Sequence, residues 1–404
     1  MANTLTPQDV YVLMNDIAYQ ATGRKDLTAV DTSSFVSVGE TLLRTGVENT
    51  MNAISTVLAY TIFSVRPYKS SLSSLRVSAQ RWGAQIRKIT PLSQDFEQSQ
   101  DWNTQLSPNA LANGNSVDMY KINAPEVLQL NFYGTKVLQK HITRFRDQLS
   151  LAFTSEAEFM RFIDAIMVEF ANEVEIGNEA QTRATLINFF AGLQAMNLSV
   201  IDLTQAYNTK FGTTYTRDQL LTQHLTEFMQ FFVSQVKVTS DRLVDMSAYN
   251  HANITGYKPI LRHTPKTRQK MLMYAPLFTE AEATVFSEIF NPIYLELGDN
   301  FETVNYWQSQ EDPTGISATP NILDVTTGQS KTADAVVNIP YVVGAIFDEE
   351  ACGVMPQFNY ASTTPFNSAG GYYNMFYHWR FNSYVDYTEN AVLFILGDGG
   401  AQEA

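Results

Sequence analysis

Five histidines (His141, His224, His251, His263 and His378) are the side chains best suited to proton transfer or metal ligation near neutral pH. They are widely spaced, and none falls in an HExxH, HxxEH or paired Cys/His pattern, so each reads as a surface or packed structural residue. Asp348-Glu349-Glu350 and Gly298-Asp299-Asn300 gather oxygen donors but lack the spacing of a calcium loop, and they read as a turn or a solvated edge. No phosphate-cradling loop, dinucleotide fingerprint or nucleophile elbow is present. Gly370-Gly371-Tyr372-Tyr373 reads as a turn into an aromatic strand; base stacking on those rings would need a basic groove that the sequence does not supply. The residues therefore imply no catalytic group, no cofactor and no metal.

Composition sets limits on partners and compartment. A chain of 404 residues with 45% apolar and 17% charged side chains can bury a large core and should hold more than one compact unit. The net charge of −14, from 41 acids against 27 bases, would repel phosphate, so gripping nucleic acid is not the main role. Cys352 has no second cysteine to pair with, which fits folding in a reducing cytoplasm. The start of the chain lacks the basic-then-apolar pattern of a signal peptide, and no apolar run reaches membrane-spanning length.

The elements that position these residues follow from periodicity. Residues 1–65 carry two amphipathic helical patterns, one after Thr6-Pro7 and one from Val38 to Phe63, and read as an arm with helical pieces. Residues 66–135 are polar, with strand-like runs near residues 85–90 and 127–132 and turn signals between them, and read as a long two-stranded hairpin. A ribbon this polar has no core of its own, and a neighbouring copy of the chain is its expected support. The clearest helix runs from Ser155 to about Ile176. Ser155 and Glu158 have capping-box spacing, Phe159, Phe162, Ile163, Ile166, Met167, Phe170 and Val174 share a stripe, and Gly177 marks the expected end. A second capped helix is expected from Thr216-Arg217-Asp218-Gln219 through Val236, and a third over residues 279–290. Strands interrupted by Pro340 are expected over residues 336–347, and a loop over residues 311–332. The fold class is mixed α+β.

Residues 363–396 close the pattern, with an aromatic-rich stretch, Asp386 with Glu389-Asn390, and the apolar run Ala391-Val392-Leu393-Phe394-Ile395-Leu396. The order of arm, hairpin, long helix, mixed region and returning aromatic strand resembles the major capsid protein of tailed bacteriophages, of the Hong Kong phage type. The resemblance rests on residues 31–39 and 61–68, on Leu151-Ala152-Phe153-Thr154-Ser155, on residues 342–352 and on this C-terminal block. It implies an N-terminal arm (1–65), an extended hairpin loop (66–135), a peripheral domain with a spine helix (136–195), an axial domain (196–357) and a return to the peripheral domain (358–404).

The resemblance implies a structural, non-enzymatic subunit that self-assembles as hexamers and pentamers into an icosahedral shell around double-stranded DNA, without reading its sequence. Scaffold, portal and decoration proteins are the implied partners, and the virion, assembled in the bacterial cytoplasm, is the implied location. Charge suggests one contact between copies. Arg76, Arg81, Arg87 and Lys88 load the first hairpin limb with positive charge, while Glu156, Glu158, Glu169, Glu173 and Glu175 make the spine helix acidic. Pairing of one subunit's hairpin with its neighbour's helix is expected, although exposed pairs contribute only about 0–1 kcal/mol each. The scarcity of charge before Arg24 argues against a large internal scaffold segment. A portal or tail-tube protein, or a soluble hydrolase-type enzyme with a site assembled only in three dimensions, are the rival readings.

Overall fold

A computed structural model describes residues 7–46, 49–50, 53–54, 72–77, 86–92, 111–120, 122, 124, 126–132, 135–145, 156–284, 301–365 and 367–399, with backbone alone considered over 156–171, 280–284 and 356–361. Arg81 and residues 61–68, 107–109, 151–155 and 298–300, which carried expectations, lie outside the described set. In chain order the strands are β1 (Ile86–Pro91), β2 (Val127–Phe132), β3 (Thr135–Phe145), β4 (Val200–Asp202), β5 (Gln269–Tyr274), β6 (Phe301–Val304) and β7 (Ile316–Ala318). They continue as β8 (Asn321–Asp324), β9 (Gln329–Thr332), β10 (Val337–Ile339), β11 (Val342–Asp348), β12 (Cys352–Thr363), β13 (Tyr372–Val385) and β14 (Ala391–Ile395). Two compact units form, one from Met1–Gln85, Tyr133–Leu186 and Cys352–Tyr384, the other from Ile86–Phe132, Ile187–Ala351 and Val385–Ala404.

The first unit is organised by β13. Its period-2 alternation turns Tyr373, Met375, Tyr377, Trp379 and Phe381 to one side of the three-stranded sheet β12-β13-β3. Those side chains share a single cluster with Val10, Met14 and Ile17 of helix α1 (Pro7–Thr22), Phe35 and Leu42 of helix α2 (Thr32–Thr45), and Val174. The N-terminal helices are thus part of a core, where the sequence suggested an arm. Their stripes are too apolar to be left in water, since burying each large side chain contributes roughly 1.5–3 kcal/mol. Asp31 starts α2 by accepting from Ser34 N at 2.7 Å in a reciprocal capping box. That backbone donor holds the Asp31 carboxyl below the usual carboxylate range.

The long helix corrects an expectation. It runs from Glu156 to Ala195, 40 residues and about 60 Å, and does not stop at Gly177. Gly177 sits against the indole of Trp379, where an added Cβ would lie 3.4 Å from Cζ2. The glycine is a close-approach position, which sequence alone does not distinguish from a terminator.

The second unit is built on a five-stranded sheet ordered β4-β14-β11-β5-β6. β14 is parallel to β4 and antiparallel to β11, and every residue of β11 and β5 is buried. Cover on both faces explains why β11 reads as a near-continuous apolar run. Phe189 and Phe190 of the long helix pack here, Phe189 edge-on to Phe347 at 5.5 Å and Phe190 edge-on to Trp307 at 5.4 Å. Pro340 separates β10 from β11 as expected. The capping box of Thr216 and Gln219 forms, but its helix ends at Thr222, and a separate helix, Leu225–Val244, carries Phe228, Phe232 and Val236. The third helix starts earlier than expected, at Ala275, and is described to Thr284. Within the stretch read as loop, short strands pair as β8 with β9, and β7 pairs with β10.

Candidate functional site

Among the described residues, the two strand-like runs of the expected hairpin pair with each other. β1 and β2 pair antiparallel from Ile86↔Phe132 to Pro91↔Val127, six residues on each side, and Leu92 N adds a bond to Glu126 O at 3.0 Å. The pleat divides β1 into two faces: Arg87 and Ile89 are exposed, while Thr90 is buried and Lys88 half-buried.

Lys88 enters a cage of carboxylates within the second unit. Its Nζ lies 2.9 Å from Asp386 Oδ2 and 3.4 Å from Glu350 Oε2, and it also pairs with Glu389 Oε1. Arg262 reaches the same group, with Nη2 3.1 Å from Glu389 Oε1 and donating to Thr90 Oγ1 at 3.0 Å, while its Nε donates to Thr388 O at 3.1 Å. Arg268 extends the network, pairing with Glu349 at 2.7 Å and with Glu350. Local chain chemistry fixes the acids. Asp386 Oδ1 accepts from Thr388 N at 2.8 Å and from its hydroxyl at 2.7 Å, an Asx-type turn leading into β14.

Burial sets the electrostatics of the cage. The side chains of Lys88, Asp386 and Glu389 are 18%, 2% and 7% exposed. Desolvation disfavours the Lys88 ammonium, but Asp386 and Glu389 outweigh it and raise its pKa. Desolvation also pushes the Glu389 carboxyl up, only partly offset by Lys88 and Arg262. Glu350 is closer to solvent; there a smaller burial penalty is overcome by Arg268 and Lys88, and its pKa falls.

The other charged residues singled out in the sequence are distributed as follows. Arg76 pairs within the first unit, its Nη1 2.8 Å from Glu175 Oε1, with Glu175 buried and Arg76 partly so. Glu173 takes Lys140 at 3.0 Å. Arg87 is exposed, and Glu156, Glu158 and Glu169 lie on the helical stretch described by its backbone alone. Two of the hairpin cations, Arg76 and Lys88, are therefore neutralised inside their own chain. The sequence hid this because the partners stand about 100 to 300 positions away. Asp348-Glu349-Glu350 leads from β11 into a turn, one of the two readings the sequence offered; Glu350 is exposed, while Asp348 is buried and accepts from Thr264 Oγ1 at 2.9 Å. Among the described residues no cluster of His, Cys, Asp and Glu is arranged to hold a metal ion, and no helix is long and apolar enough to cross a membrane.

The arrangement ties β1 to the turn before β14 through buried ion pairs. A family model of Phi29-like phage major capsid proteins matches residues 14–395. This chain belongs to that family.

The capsid protein also shares its fold with a chain in the capsid structure of Staphylococcus phage Andhra, at a TM-score of 0.52 and 10% identity, covering 79% of this chain and 83% of that one. Two further matches are a chain in the structure of the head fiber and inner core protein of native bacteriophage P68 (TM-score 0.49, 11% identity, 80% and 83% covered) and one in the asymmetric unit of the bacteriophage PhiM1 mature capsid (0.43, 10%, 82% and 88%). No curated protein matches the sequence. The capsid protein is a structural, non-enzymatic component of a phage virion and associates with copies of itself in the shell. The portal, tail-tube and hydrolase readings give way to this assignment.

Proposed function

We propose that the capsid protein builds a closed icosahedral shell, as hexamers and pentamers, around the double-stranded DNA of a tailed phage. The observation that carries this reading is the family match over residues 14–395. Residues 136–195, with the long helix as spine, and residues 358–404 serve as the peripheral domain, and residues 196–357 serve as the axial domain. The β1–β2 ribbon is part of the extended loop, which lies over a neighbouring subunit. Of the charged residues read from the sequence, Arg81, Arg87, Glu156, Glu158 and Glu169 remain the candidates for pairing between copies; the solvent-facing position of Arg87 supports its part in this.

The shell assembles in the cytoplasm of the host bacterium with scaffold, portal and decoration proteins, and it encloses DNA without sequence-specific contacts, in keeping with a net charge of −14. Electron microscopy of the purified protein tests the reading. Closed shells are expected. Sixfold or twelvefold open rings would point to a tail tube or portal, and a stable monomer at every concentration would overturn it. The mass of the subunit recovered from mature particles should equal that of the full sequence; loss of many tens of residues would reveal an internal scaffold segment.

A further inference from the structure

The loop between helix Leu225–Val244 and Arg262, in the second unit, turns apolar side chains outward on a backbone that is held rigidly. Met246, Tyr249, Tyr257 and Leu261 are 60%, 79%, 57% and 44% exposed. Ser247 and Arg262 exchange both backbone hydrogen bonds at 2.9 Å and close the loop. The flanking Met246 and Leu261 fall on the face opposite those two side chains, so they share one side of the closure. Inside the loop, Ala252, Ile254 and Ile260 are buried. Buried His251 places Nδ1 3.1 Å from Asn390 Oδ1 and Nε2 2.8 Å from Ile260 O. The Asn253 amide donates to Ala248 O at 2.9 Å and accepts from Ile260 N at 2.8 Å. Ala252 N donates to Tyr387 O, and Ala391 N to Asn250 O, tying the loop to the entry of β14.

Single exposed apolar residues are ordinary, but four on one closed loop, two of them on one side of its closure, are a grouping of the kind that marks an interaction surface. Prior rigidity removes much of the ordering cost of binding, and tyrosine is favoured as an anchor at interfaces. Charge selects the partner. The chain carries −14, whereas residues 244–261 contain one acid, Asp245, and one base, Lys258. Two copies repel over much of their surface, and this neutral, apolar loop is where they can approach.

We propose that the 244–261 loop docks on a second copy of the chain in the assembled shell, with Tyr249 and Tyr257 as anchors. This rests on the capsid reading above. In a ring of identical subunits the loop meets a different surface of its neighbour, a heterologous contact.

Hydroxyl-radical footprinting of the wild-type protein, as free subunits and as sedimented particles, tests the proposal without any substitution. Oxidation of Met246, Tyr249 and Tyr257 should fall at least severalfold on assembly; unchanged oxidation overturns the proposal. In parallel, Y249D/Y257D and the milder Y249S/Y257S should lower the assembled fraction in sedimentation velocity about tenfold or more while the melting temperature of the free subunit stays unchanged. Assembly of both variants at the wild-type level overturns it. Failure of the wild-type protein itself to assemble would instead overturn the capsid reading, and the proposal with it.

Discussion

Lys88 and Asp386 stand 298 positions apart in the chain and 2.9 Å apart in space, joining the first strand of the hairpin to the turn that leads into β14. Removing one member of a buried pair strands the other. Lys88→Met should therefore cost about 3 kcal/mol, the low end of the range for broken buried ion pairs because Lys88 keeps some contact with water. Urea unfolding of the free subunit measures this, and a loss below about 1 kcal/mol would mean that the cage is solvated in solution.

Two acids of the same cage should respond oppositely to pH. The Glu389 pKa is raised above its ordinary 4.5, so its contribution is largest in acid and is lost as pH rises from 4.5 through the raised value. The Glu350 pKa is lowered from 4.5, so its contribution is present above 4.5 and lost as pH falls through the lowered value. Relative to wild type, E389Q should gain melting temperature as pH rises above 4.5, while E350Q should recover as pH drops below it. Parallel curves for the two variants would contradict the assigned directions.

Gly192 permits the approach of Tyr387 to the long helix. An added Cβ would lie 1.9 Å from the Tyr387 hydroxyl, which donates to Asn321 O at 2.8 Å and Asn188 O at 3.2 Å. Gly192→Ala must displace the ring, and a cost of about 1–3 kcal/mol is expected from overpacking, against the small gain that alanine brings to a helix. Thermal unfolding reads the balance; a stabilised variant would show that the ring moves freely.

Arg87 faces solvent, so reversing its charge should leave the free subunit within about 0.5 kcal/mol of wild type. If it pairs with an acidic neighbour in the shell, R87E will lower particle yield most at low salt, where such pairs are least screened. Shell yield and salt response identical to wild type would remove Arg87, and the same experiment on Arg81 would remove that residue, from the set of contacts between copies.

Much of the fold was legible wherever a local signal decides the outcome. Thr216 and Gln219 announced their capping box, Pro340 its break, and the aromatic-rich run after Gly370-Gly371 its strand, because each depends on neighbours within a few positions. Gly177 misled for the complementary reason. Its role is set by Trp379, two hundred residues onward, and nothing near it in sequence says so. The cage around Lys88 was invisible in the same way. Asp386 and Glu389 stood out as landmarks and Lys88 as a hairpin charge, but pairing them requires the register of β1 on β2 and the path of the chain into β14, neither of which periodicity supplies. The stripe of α1 was legible as a helix, whereas α2 spans Thr32–Thr45 and not the expected Val38 to Phe63, of which residues 55–63 lie outside the described residues; that both would close over β13 depends on a long-range contact.

The position of β14 between β4 and β11 has a consequence in time. Synthesis reaches Ala391 roughly 190 residues after it leaves Asp202, a delay on the order of 10–40 s at ordinary translation speeds. Throughout that interval β4 lacks its β14 neighbour, and β11, which leaves the ribosome about 43 residues before Ala391, lacks it for the last part; each unmatched edge is an invitation to wrong pairing. Polypeptides released early by a stalled ribosome never close this sheet, so the order of synthesis itself sorts finished subunits from unfinished ones before any copy can join a particle.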